Sequence, residues 1–266
     1  MRRGLLAVSF GSSYPTAVER AIVPTEEDLG KAFPEFTIYR AFTSPRIRAK
    51  ILKRDGIQMP SPEEAWEKMA ADGIEEVLVQ PLQVVPGEEY AKVAHLTVKM
   101  KNSDKFKRIE IGRTLLHYNG QEDRPDDYHE VAEILASELP TPGLHEGIIL
   151  MGHGSPSHPN VAYELMGIRF QRRWPWIHLA TVEGGPGLAD LFPALKAAGY
   201  RKIHLVPFMW VAGDHALNDM AGEEESWKTE LEAQGYKVIC HLNGMGEYPK
   251  MREIFVRRAQ DAWSDK

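Results

Sequence analysis

The chain of 266 residues contains a single cysteine, Cys240. One thiol excludes an internal disulfide framework and any zinc or iron–sulfur centre built on cysteine. Its setting in the apolar run Val238-Ile239-Cys240 reads as a buried structural thiol rather than a reactive one. Long apolar runs are missing as well, and no stretch approaches the roughly 18–20 residues of a membrane span. A basic excess is also absent. The net charge is −6, so nothing points to nucleic acid, which asks for a basic face. The glycine-serine loops Gly11-Ser12-Ser13 and Gly154-Ser155 have neither the G-x-G-x-x-G nor the Walker spacing, which argues against a nucleotide site. The segment Met1–Phe10 has too short an apolar part for a signal peptide and reads as a first strand. The expected location is therefore the cytoplasm, unless a leader was removed ahead of this sequence.

What is present is a regular alternation of short apolar runs and helical patterns. Strands are expected at Gly4–Phe10, Phe36–Ala41, Glu76–Gln80 and Arg108–Gly112, with helices at Thr16–Phe33, Pro62–Ala71, Glu88–Met100 and Asp126–Glu138. Leu139-Pro-Thr-Pro-Gly143 breaks any element and reads as a linker. The pattern then restarts with strands at Gly147–Met151, Ile177–Val182, Lys202–Pro207 and Tyr236–His241. Helices are expected at Ala162–Arg173, Leu188–Ala198, Ala216–Ala233 and Pro249–Trp263. Such alternation predicts an α/β fold with parallel sheets covered by helices on both faces. Two half-domains are expected, 1–139 and 144–266, with the last helix (249–263) free to pack back on the first half.

The restart is an internal repeat. Gly4-Leu-Leu-Ala-Val-Ser-Phe10-Gly-Ser-Ser13 aligns with Gly147-Ile-Ile-Leu-Met-Gly-His153-Gly-Ser-Pro156. A second block, Ala71–Glu89, aligns with Ala197–His215. Phe10 thereby falls opposite His153, and Glu89 opposite His215. Two halves of one ancestry would face each other across a cleft.

His153 and His215 each follow an apolar run, where a strand of an open α/β sheet ends and a ligand crevice begins. Glu183 closes the strand Leu179–Glu183 in the same manner. Two imidazoles and a carboxylate suit a first-row divalent ion with positions left for a substrate. The remaining histidines, His95 on its amphipathic helix included, read as solvated or structural. Arg40, Arg46, Arg48, Lys50, Lys53 and Arg54 form a basic run in an acidic protein. That run is either a solvated helix face or a surface for a ligand with several carboxylates, which arginine grips through its planar fork.

The blocks Val8–Tyr14, Arg40–Ser44, Arg54–Ile57, Gly87–Tyr90, Met151–Gly154, Val182-Glu183, Ala212–Met220 and Ser226–Lys228 resemble the anaerobic cobalt chelatase family (CbiK type). The resemblance runs over almost the whole chain and is sharpest in Ala212-Gly-Asp-His-Ala-Leu-Asn-Asp-Met220. It implies a chelatase-like fold of two Rossmann-like halves, each with a four-stranded parallel sheet, and ATP-independent insertion of Co2+ into sirohydrochlorin. It implies His153 and His215 as metal ligands and bases, with Glu183 as third metal group and Glu89 as catalytic carboxylate. Phe10, Ser12, Ser13 and Arg54 become the expected substrate contacts. No cofactor is expected beyond the substrate ion, Co2+, with Fe2+ or Ni2+ as in vitro substitutes. The expected partners are a tetrapyrrole and a divalent metal, with neither nucleic acid nor a membrane, and a homo-oligomer is compatible with the reading. The rival functions are a ferrochelatase and a non-catalytic metal or tetrapyrrole binder.

Overall fold

Strands that are apolar along their whole length must be covered on both faces, and the chain meets that demand by sending a helix over the sheet after almost every strand. The computed structural model describes residues 1–264. In the first half, β1 (Arg3–Ser9) leads through α1 (Pro15–Ala17) and a π-helical turn (Val18–Ile22) into α2 (Val23–Ala32). Then come β2 (Phe36–Phe42), α3 (Pro45–Asp55), α4 (Pro62–Ala71), β3 (Glu76–Pro81), α5 (Glu88–Lys101), β4 (Arg108–Ile111) and α6 (Asp127–Glu138). The second series is β5 (Glu146–Gly154), α7 (Val161–Arg173), β6 (Ile177–Glu183), α8 (Leu188–Ala197) and β7 (Lys202–Phe208). It closes with a π-helical turn (His215–Met220), α9 (Trp227–Ala233), β8 (Lys237–Cys240) and α10 (Pro249–Ser264).

The strands form two four-stranded parallel sheets, ordered β2-β1-β3-β4 and β6-β5-β7-β8. The order is the same in both, so the repeat seen in the sequence is a repeat of topology. The first sheet buries Leu6, Val8, Val77 and Val79 against Trp66 and Met69 of α4 and Val93 of α5. The second buries Ile149, Met151, Ile203 and Leu205 against Leu188, Leu191 and Leu195 of α8.

The chain forms two compact units, and these divide at Tyr118 rather than at the Leu139–Gly143 segment. The helix α6 belongs with the second unit because it packs on α7, with Arg169 paired to Asp126 at its N-cap. The helix α10 belongs with the first unit, packing on α2, β3 and β4. Arg252 bonds Asp28 at 2.7 Å, and Trp263 stacks edge-on against Phe36.

One local expectation is corrected. Ala216–Ala233 is not one helix. After Met220 the chain leaves the π-helical turn, Glu225 takes φ 48°, and Ser226 caps a new helix by accepting from Thr229 N. Gly222 falls where the run would have to continue and weakens a helix interior, and the serine cap offers a fresh start. Of the basic run, Arg40 lies in β2, and Arg46, Arg48, Lys50, Lys53 and Arg54 lie on one helix, α3, capped by Ser44 with Pro45 at its first position and Gly56 in the left-handed region beyond its end.

His178, inside β6, is buried and carries a lowered pKa, about 4, because burial disfavours the imidazolium. The folded form stays neutral while the unfolded chain protonates near pH 6.5, so stability present above that pH is lost as pH falls toward 4. Denaturant midpoints measured across pH 4–7 should fall more steeply for the parent than for His178→Gln. Parallel profiles would count against this assignment.

Candidate metal centre

The β5–β7 pairing sets the site. Met151 is paired with Pro207 and Gly152 with Phe208, so the two strands end side by side. Side chains alternate between faces along a strand, which places His153 on the face of Ile149 and Met151. The π-helical turn after β7 packs on that same face, its buried Ala216 and Met220 sharing a cluster with Met151. His215 opens that turn and is thereby brought against His153, with ring centroids 4.8 Å apart and planes at 87°. Two histidines separated by 61 intervening residues of sequence (154–214) meet because two adjacent strands end together.

Both rings are tethered through Nδ1. His153 Nδ1 lies 3.0 Å from the carbonyl oxygen of Gly154, and His215 Nδ1 lies 2.5 Å from Asp219 Oδ2. An oxygen acceptor at Nδ1 requires the proton there, which leaves the Nε2 lone pair on each ring available to a metal or a proton. Both residues are partly exposed. Asp219 was not singled out in the sequence. The available signal was its spacing, four residues after a strand-end histidine at the opening of a helical segment.

Glu183 is placed differently from the expectation. It ends β6 and is partnered in register with Gly154, one residue beyond His153, so its side chain leaves the sheet on the opposite face. Among the described residues no group of three or more His, Cys, Asp or Glu side chains is arranged to hold a metal ion. The expected trio is therefore present as a histidine pair with Glu183 at a neighbouring strand end.

In the first unit, Glu89 occupies the first turn of α5, where the helix dipole favours a carboxylate, and pairs with Lys92 at 2.7 Å. Phe10, just past β1, is 50% exposed. Ser12 and Ser13 are buried, and Ser12 Oγ accepts from Tyr14 N at 3.2 Å. Arg54 donates to the Ser13 carbonyl and pairs with Asp55, both at 2.5 Å. Arg40 and Arg48 are matched by Glu26 and Glu64. Half of the run's cations are thus paired within the protein, and Arg46, Lys50 and Lys53 are its members without a carboxylate partner among the described residues.

Comparison with known proteins decides the family. The model of the cobalt chelatase (CbiK) family matches residues 3–264. The chain belongs to that family. It is 35% identical over 264 residues to the sirohydrochlorin cobaltochelatase of Salmonella typhimurium, covering 98% of this chain and 97% of the relative. It is 30% identical over 261 residues to the sirohydrochlorin cobaltochelatase CbiKC of Nitratidesulfovibrio vulgaris, covering 96% and 88%. In fold it is similar to SirB from Bacillus subtilis, solved with Fe3+, at a TM-score of 0.66 and 15% identity, covering 100% and 97%.

In this cobalt chelatase family member the strand end at His153 depends on a glycine. Gly154 has φ 79°, and a Cβ there would sit 1.7 Å from the Glu183 carbonyl oxygen, so the β5 and β6 ends approach too closely for any side chain. Gly154→Ala should shift His153, lower the denaturant midpoint by the equivalent of about 1–3 kcal/mol and abolish Co2+ binding. Gly185→Ala, at a glycine with nothing within 4 Å of an added Cβ, should change neither. Parent-like binding in Gly154→Ala would show that the backbone there does not hold the site.

Proposed function

We propose that this protein inserts Co2+ into sirohydrochlorin without ATP, as an enzyme rather than a carrier. The observation that carries the proposal is the His153–His215 pair, two partly exposed imidazoles with both Nδ1 atoms committed to oxygen. Membership of the cobalt chelatase family and the activity named for its relatives at 35% and 30% identity support the substrate and the metal. Among the described residues no helix is long and apolar enough to cross a membrane.

Metal insertion takes in a dication and expels two pyrrole protons from the macrocycle. A neutral imidazole Nε2 can hold the ion or accept a proton near pH 7, and the pair does both in turn. Glu183, at the adjoining strand end but on the opposite face, is not a ligand in this arrangement and contributes at most the long-range field of its charge. Phe10 offers an apolar ring to the macrocycle. Its carboxylates are met by the Ser12-Ser13 backbone and by Arg54, with Arg46, Lys50 and Lys53 as the cations of α3 that carry no carboxylate of their own. Glu89 relays or stabilises the departing pyrrole protons.

The test mixes protein, sirohydrochlorin and Co2+ and follows the absorption spectrum, with Fe2+ and Ni2+ in parallel. Several equivalents of product per protein are expected, fastest with Co2+. A change that stops at one equivalent means a carrier, and faster turnover with Fe2+ means a ferrochelatase. His153→Ala and His215→Ala should each lose both Co2+ binding and turnover. Glu89→Gln should slow insertion by roughly 10²–10⁴-fold, the usual worth of a proton-transfer group, at nearly constant Co2+ affinity. A Glu89→Gln variant as fast as the parent would reduce the correspondence between Glu89 and His215 to common ancestry.

A further inference from the structure

The two histidines are tethered through the same ring atom but to acceptors of different charge. His153 Nδ1 faces the neutral carbonyl of Gly154, and His215 Nδ1 faces the carboxylate of Asp219 at the shorter distance of 2.5 Å against 3.0 Å. A charged acceptor draws the Nδ1 proton more strongly and leaves more electron density at Nε2, raising the basicity of the ring as a ligand. We propose that Asp219 is a positioning residue. It fixes the tautomer and ring orientation of His215 and makes His215 the stronger metal donor of the pair. The inference rests on the reading of His215 as a metal ligand.

The local fold explains why the carboxylate is held there. His215 and Asp219 are four residues apart on one π-helical turn, and that turn is locked to the sheet by the fully buried Ala216 and Met220. The neighbouring acid, Asp214, accepts from Asn218 Nδ2 at 3.1 Å. That bond holds Asp214 on a different contact, and Asp219 is the acid on the imidazole. The Asp219 side chain is 45% exposed. Truncating it removes the tether without opening the core, which separates a positioning role from a packing one. Without the carboxylate the Nδ1 proton loses its acceptor, and the ring can turn and exchange its proton between the two nitrogens.

The experiment compares the full-length parent with Asp219→Asn, Asp219→Ala and His215→Ala. Nitrogen-15 NMR of histidine-labelled, metal-free protein should show His215 protonated at Nδ1 in the parent and in Asp219→Asn, whose amide oxygen still accepts. Asp219→Ala should show a mixed tautomer. Co2+ titration without tetrapyrrole should give a Kd raised about 10–100-fold in Asp219→Ala, the usual cost of losing such a partner, and raised less in Asp219→Asn. A parent-like tautomer in Asp219→Ala, or a parent-like Kd in both Asp219 variants, overturns the role of Asp219 and leaves the metal site standing. Parent-like Co2+ binding by His215→Ala overturns the metal site itself.

Discussion

The pairing of β5 with β7 is the constraint on which the rest of the site depends. It ends two parallel strands side by side, and the turn that follows β7 is bound by Ala216 and Met220 to the face from which His153 projects. The imidazoles meet because the core beneath them is packed, with Ile149, Met151, Ile203 and Leu205 buried and unable to slide. A shift of one residue between β5 and its neighbours would carry His153 to the other face. Each ring then spends its Nδ1 on a fixed oxygen, which leaves the Nε2 lone pair available.

The two units show how one topology carries different chemistry at its strand ends. Their sheets have the same strand order, yet where the second unit presents His153 and His215, the first presents Phe10 and Glu89. An apolar ring and a carboxylate cannot bind a transition metal as two imidazoles do, so the halves are not interchangeable. The shared fold sets where groups emerge, and the identity of each group sets what happens there.

The alternation of elements, the eight strands and the repeat were legible in the sequence, because parallel strands buried on both faces leave continuous apolar runs between helical periods. His153 and His215 were legible as strand-end residues for the same reason. The side of the sheet taken by Glu183 was not, since it follows from the register of β6 on β5, which no local pattern encodes. The place of α6 in the second unit rests on its packing with α7, again a contact between distant segments. Asp219 lies within Ala212–Met220, but its value appears only once the π-helical turn brings it to the His215 ring. The basic run stays open between a solvated face and a ligand surface in the sequence, because spacing does not reveal that Glu26, Glu64 and Asp55 answer three of its arginines.

The central claim is that Nε2 of His153 and Nε2 of His215 together receive the metal. A crystal of the metal-free protein soaked in Co2+ tests it most directly, with anomalous scattering at the cobalt edge locating the ion. The account predicts one site with both Nε2 atoms at about 2.1 Å, the ordinary metal–imidazole distance, and both Nδ1 tethers to Gly154 and Asp219 intact. Cobalt bound elsewhere, with the two imidazoles still facing each other without it, would contradict the account.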